Sequence, residues 1–193
     1  MPEKSVTPSA AGLRALSHPT RLKILGRLRI EGPATATQLA QELKLNTGAT
    51  SYHLRQLAEH GFIEEDSERG DARDRWWRAA HESTHANLDA ASEEDADSSE
   101  AYLHTVALMY TETLMQYAGE RRSLPEPWRE ASTISDWHVR LTPERAEELV
   151  AALIRVIEDF RADEAETPGT ADFVVNLNAF PRPGTVVLEG TDR

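Results

Sequence analysis

Residues 35–63, TATQLAQELKLNTGATSYHLRQLAEHGFI, hold two short amphipathic patterns that almost touch, and that spacing decides the fold. Thr35-Ala36-Thr37-Gln38 is a helix start signal, because the threonine hydroxyl and the glutamine amide can each satisfy the other's orphan backbone N–H. Leu39, Ala40 and Leu43 form the apolar face of the helix that follows. After only Lys44 and Leu45, Asn46 or Thr47 can cap the next helix, whose inward positions are Thr50, Leu54 and Leu57. Gly48, Ser51, Tyr52 and Arg55 are left on its outer face. Two helices joined by so short a turn make a helix-turn-helix, in which the outer face of the second enters a DNA major groove.

Upstream, LRALSHPTRLKIL at residues 13–25 reads as one helix bearing Leu13 and Leu16 and a second that Pro19 opens. Leu22, Ile24, Leu25 and Leu28 continue the second stripe until Gly32-Pro33 ends it. Downstream, Gly61 is placed to close the recognition helix in the left-handed conformation. Phe62 to Asp66 and Arg73 to Ala79 then read as two strands around a Ser67 to Ala72 loop, a hairpin that serves as a wing. Trp76 and Trp77 alternate across the second strand, so at least one of them belongs to the core.

LRALSHPTRLKIL and, at 47–63, TGATSYHLRQLAEHGFI resemble the opening helices and the recognition helix of the ArsR-type winged-helix repressors of bacteria. The resemblance covers about residues 13–80. It implies a cytoplasmic homodimer that binds double-stranded DNA at a near-palindromic operator and responds to an effector, more often as repressor than activator. The best-known members of that family sense soft metals through cysteines in the third helix or near the N-terminus. This chain has no cysteine, which removes thiol-based metal or redox sensing.

The 193 residues carry a net charge of −12, distributed unevenly. Residues 1–80 hold 12 Lys and Arg against 10 Asp and Glu, a balance of +2, and the remainder balances at −14. The N-terminal half is therefore the one suited to face a polyanion. No apolar run is long enough to span a bilayer, and the N-terminus lacks the basic-then-apolar order of a signal peptide, so neither membrane insertion nor export is expected.

The DNA-contact candidates are Thr47, Gly48, Ser51, Tyr52, His53 and Arg55 on the recognition helix, with Arg73 and Arg75 on the wing. Arginine donates a bidentate pair to guanine or phosphate, hydroxyls reach bases or phosphates, and Gly48 permits close backbone approach. His53 borders the Leu54 face, where it reads equally well as a packed core histidine. Acidic residues outnumber arginines between Phe62 and Arg78, which shifts the expected contacts from the wing onto the recognition helix.

His81-Glu82-Ser83-Thr84-His85 matches H-E-x-x-H, in which two histidines one helical turn apart hold zinc beside a general base. The pattern raises two alternatives: a zinc hydrolase, or a regulatory metal site using His81, His85 and Asp89. Its setting, between the wing and a polar run, lacks the apolar helix face that a catalytic site requires. Solvated histidines at a domain boundary are the preferred reading, with no cofactor and no enzymatic activity. A winged helix used for protein contact is the remaining alternative.

Residues 1–12 read as a flexible tail, 13–82 as the winged helix-turn-helix domain, 83–101 as a polar linker whose run from Asp89 to Glu100 is alternatively the frayed start of the next helix, and 102–193 as a helix plus an α/β dimerisation or effector region. The fold class is mainly α with α+β character: a winged helix-turn-helix, a long connecting or dimerisation helix, and a small C-terminal α/β unit. The long helix is expected over Tyr102 to Tyr117. Ser132 to Leu141, a helix opened by Thr142-Pro143, Phe173 to Ala179 and Thr185 to Leu188 then give the strand and helix order of the α/β unit. Trp128, Trp137, His138, Asn176 and Phe180 are its candidates for lining a small-molecule effector pocket.

Overall fold

The computed structural model describes residues 5–67, 69, 75–84, 93–160 and 167–187, and the chain divides into two compact units, Met1–Arg122 and Ser123–Arg193. The first unit runs β1 (Ser5–Val6), α1 (Ala10–Leu16), α2 (Pro19–Ile30), β2 (Ala34–Thr35), α3 (Ala36–Glu42), α4 (Thr47–Glu59), β3 (Ile63–Glu65), β4 (Trp76–Ala79), β5 (Ser83–Thr84) and α5 (Glu93–Glu120). The second unit contains α6 (Glu126–Ala131) and α7 (Pro143–Asp159).

Side chains at the helix starts satisfy orphan backbone donors. Ser9 Oγ accepts the Gly12 N–H at 3.3 Å, His18 Nδ1 accepts that of Thr20 at 3.1 Å, and Asn46 Oδ1 accepts that of Ala49 at 2.7 Å. The capping box forms in both directions: Gln38 N–H reaches Thr35 Oγ1 at 3.2 Å, and Thr35 N–H reaches Gln38 Oε1 at 2.8 Å. At the C-termini of α3 and α4 the same double-bonded cap recurs. Leu45 N–H donates to Ala40 O at 2.8 Å, and Phe62 N–H to Leu57 O at 3.0 Å, with a left-handed residue between helix and bond in each case. In α4 that residue is Gly61, φ 73°, as its position predicts; in α3 it is Lys44, φ 55°.

Leu16, Ile24, Leu25, Leu39, Leu54, Leu57 and Phe62 are fully buried in one cluster that draws on α1 through α4 and the start of the wing. Trp77 joins the cluster and Trp76 is half-buried, as strand alternation requires. Strands order β2-β4-β3, antiparallel, with Ala34 opposite Trp77 and Glu64 opposite Arg78. The wing hairpin thus gains a third strand from the residues that precede the α3 cap. Arg27 fastens α2 to the following turn and to α3, donating to Gly32 O at 2.8 Å and to both Glu42 carboxylate oxygens at 2.8 and 3.0 Å.

Two expected boundaries move. Within the supposed tail, Ser5–Val6 pairs in parallel with Ser83–Thr84, and α1 begins at Ala10. Within the supposed linker, α5 begins at Glu93 rather than Tyr102. Apolar periodicity misses its first turns because the side chains that seat them are small and polar. Ser98, Ser99 and Thr105 are buried; Arg14 Nη2 donates to Ser98 Oγ at 3.3 Å, and Thr105 Oγ1 donates to Ser17 O at 2.7 Å.

In the second unit, Thr142 Oγ1 accepts the Arg145 N–H at 3.4 Å and Pro143 takes the first helical position, so α7 starts where its sequence predicts. The strands expected in Ser132–Leu141 and Phe173–Ala179 are a correction: neither segment joins a ladder among the described residues. Alternation marks an apolar face, but a strand also requires a neighbour to pair its backbone, and no described segment supplies one. Trp137 is 81 % exposed and Phe180 73 %. Among the described residues, no helix is long and apolar enough to cross a membrane.

Candidate nucleic-acid interface

The cap at Asn46 and the buried trio Thr50, Leu54 and Leu57 fix the rotation of α4 about its axis. The opposite side then presents Thr47, Gly48, Tyr52 and Arg55 to solvent, with Ser51 half-buried at its edge. From Leu43 to Ala58 the charged side chains are Lys44 and Arg55 alone, and the first carboxylate of α4 is the exposed Glu59, one turn beyond Arg55. A Cβ added at Gly48 would sit 3.4 Å from Asn46 Oδ1, the atom that caps the helix.

His53 does not belong to this face. It is buried, its ring centroid lies 4.6 Å from that of His18, and among the described residues its Nδ1 has no hydrogen-bond partner. Burial, then the neighbouring His18 and Arg21, hold its pKa below the usual histidine value; burial followed by Arg21 does the same to His18. The core alternative for His53 is the one the geometry favours, with Tyr52 set edge-on to it at 5.5 Å.

On the wing, Arg75 Nε lies 3.2 Å from Glu65 and its guanidinium carbon 5.7 Å from the Trp77 ring centroid, while Arg78 pairs with Glu64 at 2.8 Å. Arg73 lies outside the described residues. Arg75 and Arg55 meet at a cleft of about 200 Å³, whose wall also includes Thr35, Ala36, Thr37, Ser51 and Trp77. Thr37 is an exposed participant that pattern reading misses, since it stands between the capping residues Thr35 and Gln38 and takes no part in their bonds.

His81 is half-buried, and its carbonyl accepts Arg29 Nε at 2.9 Å. His85 and Asp89 lie outside the described residues. Ser83 and Thr84, between the two histidines, form a strand, so the pentapeptide is not the helix that H-E-x-x-H zinc ligation uses. No group of three or more His, Asp or Glu suited to a metal occurs among the described residues.

The effector-pocket candidates do not gather. Trp128 stacks on Phe173 at 6.4 Å, and exposed His138 pairs with Asp136 at 3.0 Å. The groove of about 360 Å³ in this unit is lined by Val139, Leu141, Arg145, Glu148 and Leu149, which includes none of Trp128, Trp137, His138, Asn176 and Phe180.

Capped helices joined by a tight turn, followed by an antiparallel hairpin, define a winged helix-turn-helix protein. In agreement, residues 16–66 match the family described as a helix-turn-helix domain. Solved structures similar to the chain include Lactococcus lactis ZitR, as an apo mutant (20 % identity, 75 % of this chain and 84 % of that one, TM-score 0.34) and as the wild type in complex with DNA (18 %, 72 % and 74 %, 0.32). Adhesin competence repressor AdcR of Streptococcus pyogenes is similar at 16 % identity over 72 % of this chain and 78 % of that one, TM-score 0.32. No curated protein sequence matches.

Proposed function

We propose that the chain is a sequence-specific DNA-binding transcriptional regulator, a homodimeric repressor of the ArsR type that acts in the cytoplasm on a near-palindromic operator. It works by binding and carries out no catalysis. The observation that carries this reading is the α4 surface: in a chain of net charge −12, the outward face from Thr47 to Arg55 has no carboxylate and offers hydroxyls, an amphipathic ring and one guanidinium. Such a face enters a major groove without like-charge repulsion and with donors for base edges.

Dimerisation places two such helices in successive grooves, and the regulatory signal reaches them as a change in their spacing. Exposed apolar side chains support a second copy as partner, Leu103, Leu108, Leu114 and Met115 on α5 and, in the second unit, Leu153 and Ile157 on α7 with Phe160 at its C-cap. A small-molecule effector acts through the second unit.

The deciding experiment is titration of the purified protein onto DNA from upstream of its own gene and onto unrelated DNA, across a salt series. Tight binding to one fragment that weakens steeply with salt is expected. Equal, salt-insensitive affinity for every fragment would exclude sequence-specific recognition.

A further inference from the structure

We propose that the cleft between Arg55 and Arg75 is a seat for a single DNA backbone phosphate. The inference rests on the DNA-binding reading and assigns Arg55 within it: an anchor on the backbone rather than a reader of bases. The cleft draws Thr35 from β2, Thr37 from the start of α3, Ser51 and Arg55 from successive turns of α4, Trp77 from β4 and Arg75 from just before it.

Its chemistry is that of an anion site. Among the described residues, the lining has two guanidinium groups and the hydroxyls of Thr37 and Ser51, and no carboxylate. Glu65 meets Arg75 from outside the lining, at Nε, and the terminal nitrogens of a guanidinium carry further donors. Trp77, one face of which Arg75 approaches, gives that side chain an apolar rest that restricts its orientation. Its partners therefore hold the guanidinium in place before any ligand arrives.

Shape separates phosphate from base. Base edges lie on the floor of the major groove and are read by side chains that project into it, above all from the first turns of a recognition helix. A concave, donor-lined cleft instead needs an acceptor that protrudes, and on duplex DNA that is the phosphate. Arg55 stands two turns beyond the exposed start of α4 at Thr47 and Gly48, toward the wing. Thr47, Gly48 and Tyr52 are then left to the bases. The wing contributes Arg75, at the loop end of its second strand, while the acidic neighbours Glu64 and Glu65 are occupied by Arg78 and Arg75.

The test measures affinity for the preferred duplex and for an unrelated duplex across a potassium chloride series, with wild type, R55A, R75A and the double variant. Both arginines are exposed, so folding should survive, and circular dichroism melts confirm it; R55Q serves as a second variant. Each single variant should weaken both duplexes by the same factor and lower the slope of log affinity against log salt by no more than about 1. Because both side chains serve one phosphate, the double variant should lose about one unit of slope, not two. A single neutral methylphosphonate, walked along the strand, should reproduce the loss at one position and make R55A and wild type equal there.

A change in sequence preference for R55A, or a two-unit loss in the double variant, overturns the shared phosphate seat and leaves DNA binding standing. Failure of the wild type to bind any duplex would sink the underlying reading instead. Saturable binding of inorganic phosphate to the protein alone, lost in R55A at constant ionic strength, would reassign the cleft to a free anion.

Discussion

The imidazole rings of His18 and His53 lie 4.6 Å apart between centroids, inclined at 52°, and so join the start of α2 to the recognition helix through two titratable groups. Burial and the adjacent Arg21 hold both pKa values below 6.5. Tyr52 faces the same cluster. A depressed histidine pKa means that the unfolded chain binds more protons than the folded one as pH falls past about 6.5, so stability rises with pH through that window. The contribution is complete above pH 6.5 and is lost as acid protonates the pair. His18→Asn keeps a side-chain acceptor at the α2 cap and removes one titrating group. Melting temperatures at pH 7.5 and 5.5 should therefore fall further in the wild type than in this variant. Equal falls would show that the pair does not govern the acid response.

Leu54 is fully buried in the cluster that sets the rotation of α4, so Leu54→Ala should cost about 2–5 kcal/mol in denaturant unfolding. A loss below about 1 kcal/mol would mean that the core collapses around the gap.

Lys44 occupies the left-handed position of the α3 cap, φ 55°, where a Cβ is disfavoured. Lys44→Gly should raise stability by about 0.5–1 kcal/mol, since the relief of strain exceeds the added freedom of the unfolded chain. Denaturation midpoints measure it, and a destabilised variant would indicate that the lysine side chain makes a compensating contact.

Lys44 also shows where pattern reading stops. Helices α2, α3 and α4 were legible because apolar side chains recur at helical spacing and because Thr35, Asn46 and Gly61 mark their ends with chemistry specific to caps. A lysine in the left-handed turn carries no such mark. The third strand of the wing sheet is two residues long, Ala34–Thr35, too short for an alternating pattern. The first turns of α5 are seated by serine and threonine hydroxyls, which read as linker composition. In the second unit, alternation at Trp137, Val139 and Leu141 revealed an apolar side without revealing a pairing neighbour. At the interface, the outward face of α4 followed directly from its inward one; the meeting of Arg55 with Arg75 depended on tertiary packing, which separations of 20 residues along the chain do not encode.

Thr35→Ala removes one half of a reciprocal cap whose bonds span 2.8 and 3.2 Å, and should cost about 1 kcal/mol of stability. Thr35→Ser retains the hydroxyl and should recover most of it. If both variants unfold at the wild-type midpoint, α3 is held by the Leu39 and Ala40 packing rather than by its cap.

Thr105 tests how α5 is held. Its side chain is 7 % exposed, and its Oγ1 lies 2.7 Å from the carbonyl of Ser17, the C-cap of α1, and 2.9 Å from its own Ala101 carbonyl. A valine has nearly the same shape and no hydroxyl, so Thr105→Val leaves the Ser17 carbonyl without that donor in a buried setting. The expected loss is about 1–3 kcal/mol, with Thr105→Ser close to the wild type. Because the defect is local to the α1 and α5 contact, amide exchange should quicken in α5 more than in α4. Uniform acceleration across both helices would mean that α5 and the winged helix open as one cooperative body, and unchanged exchange in the valine variant would mean that apolar contacts such as Tyr102 against the core hold the helix without the hydroxyl.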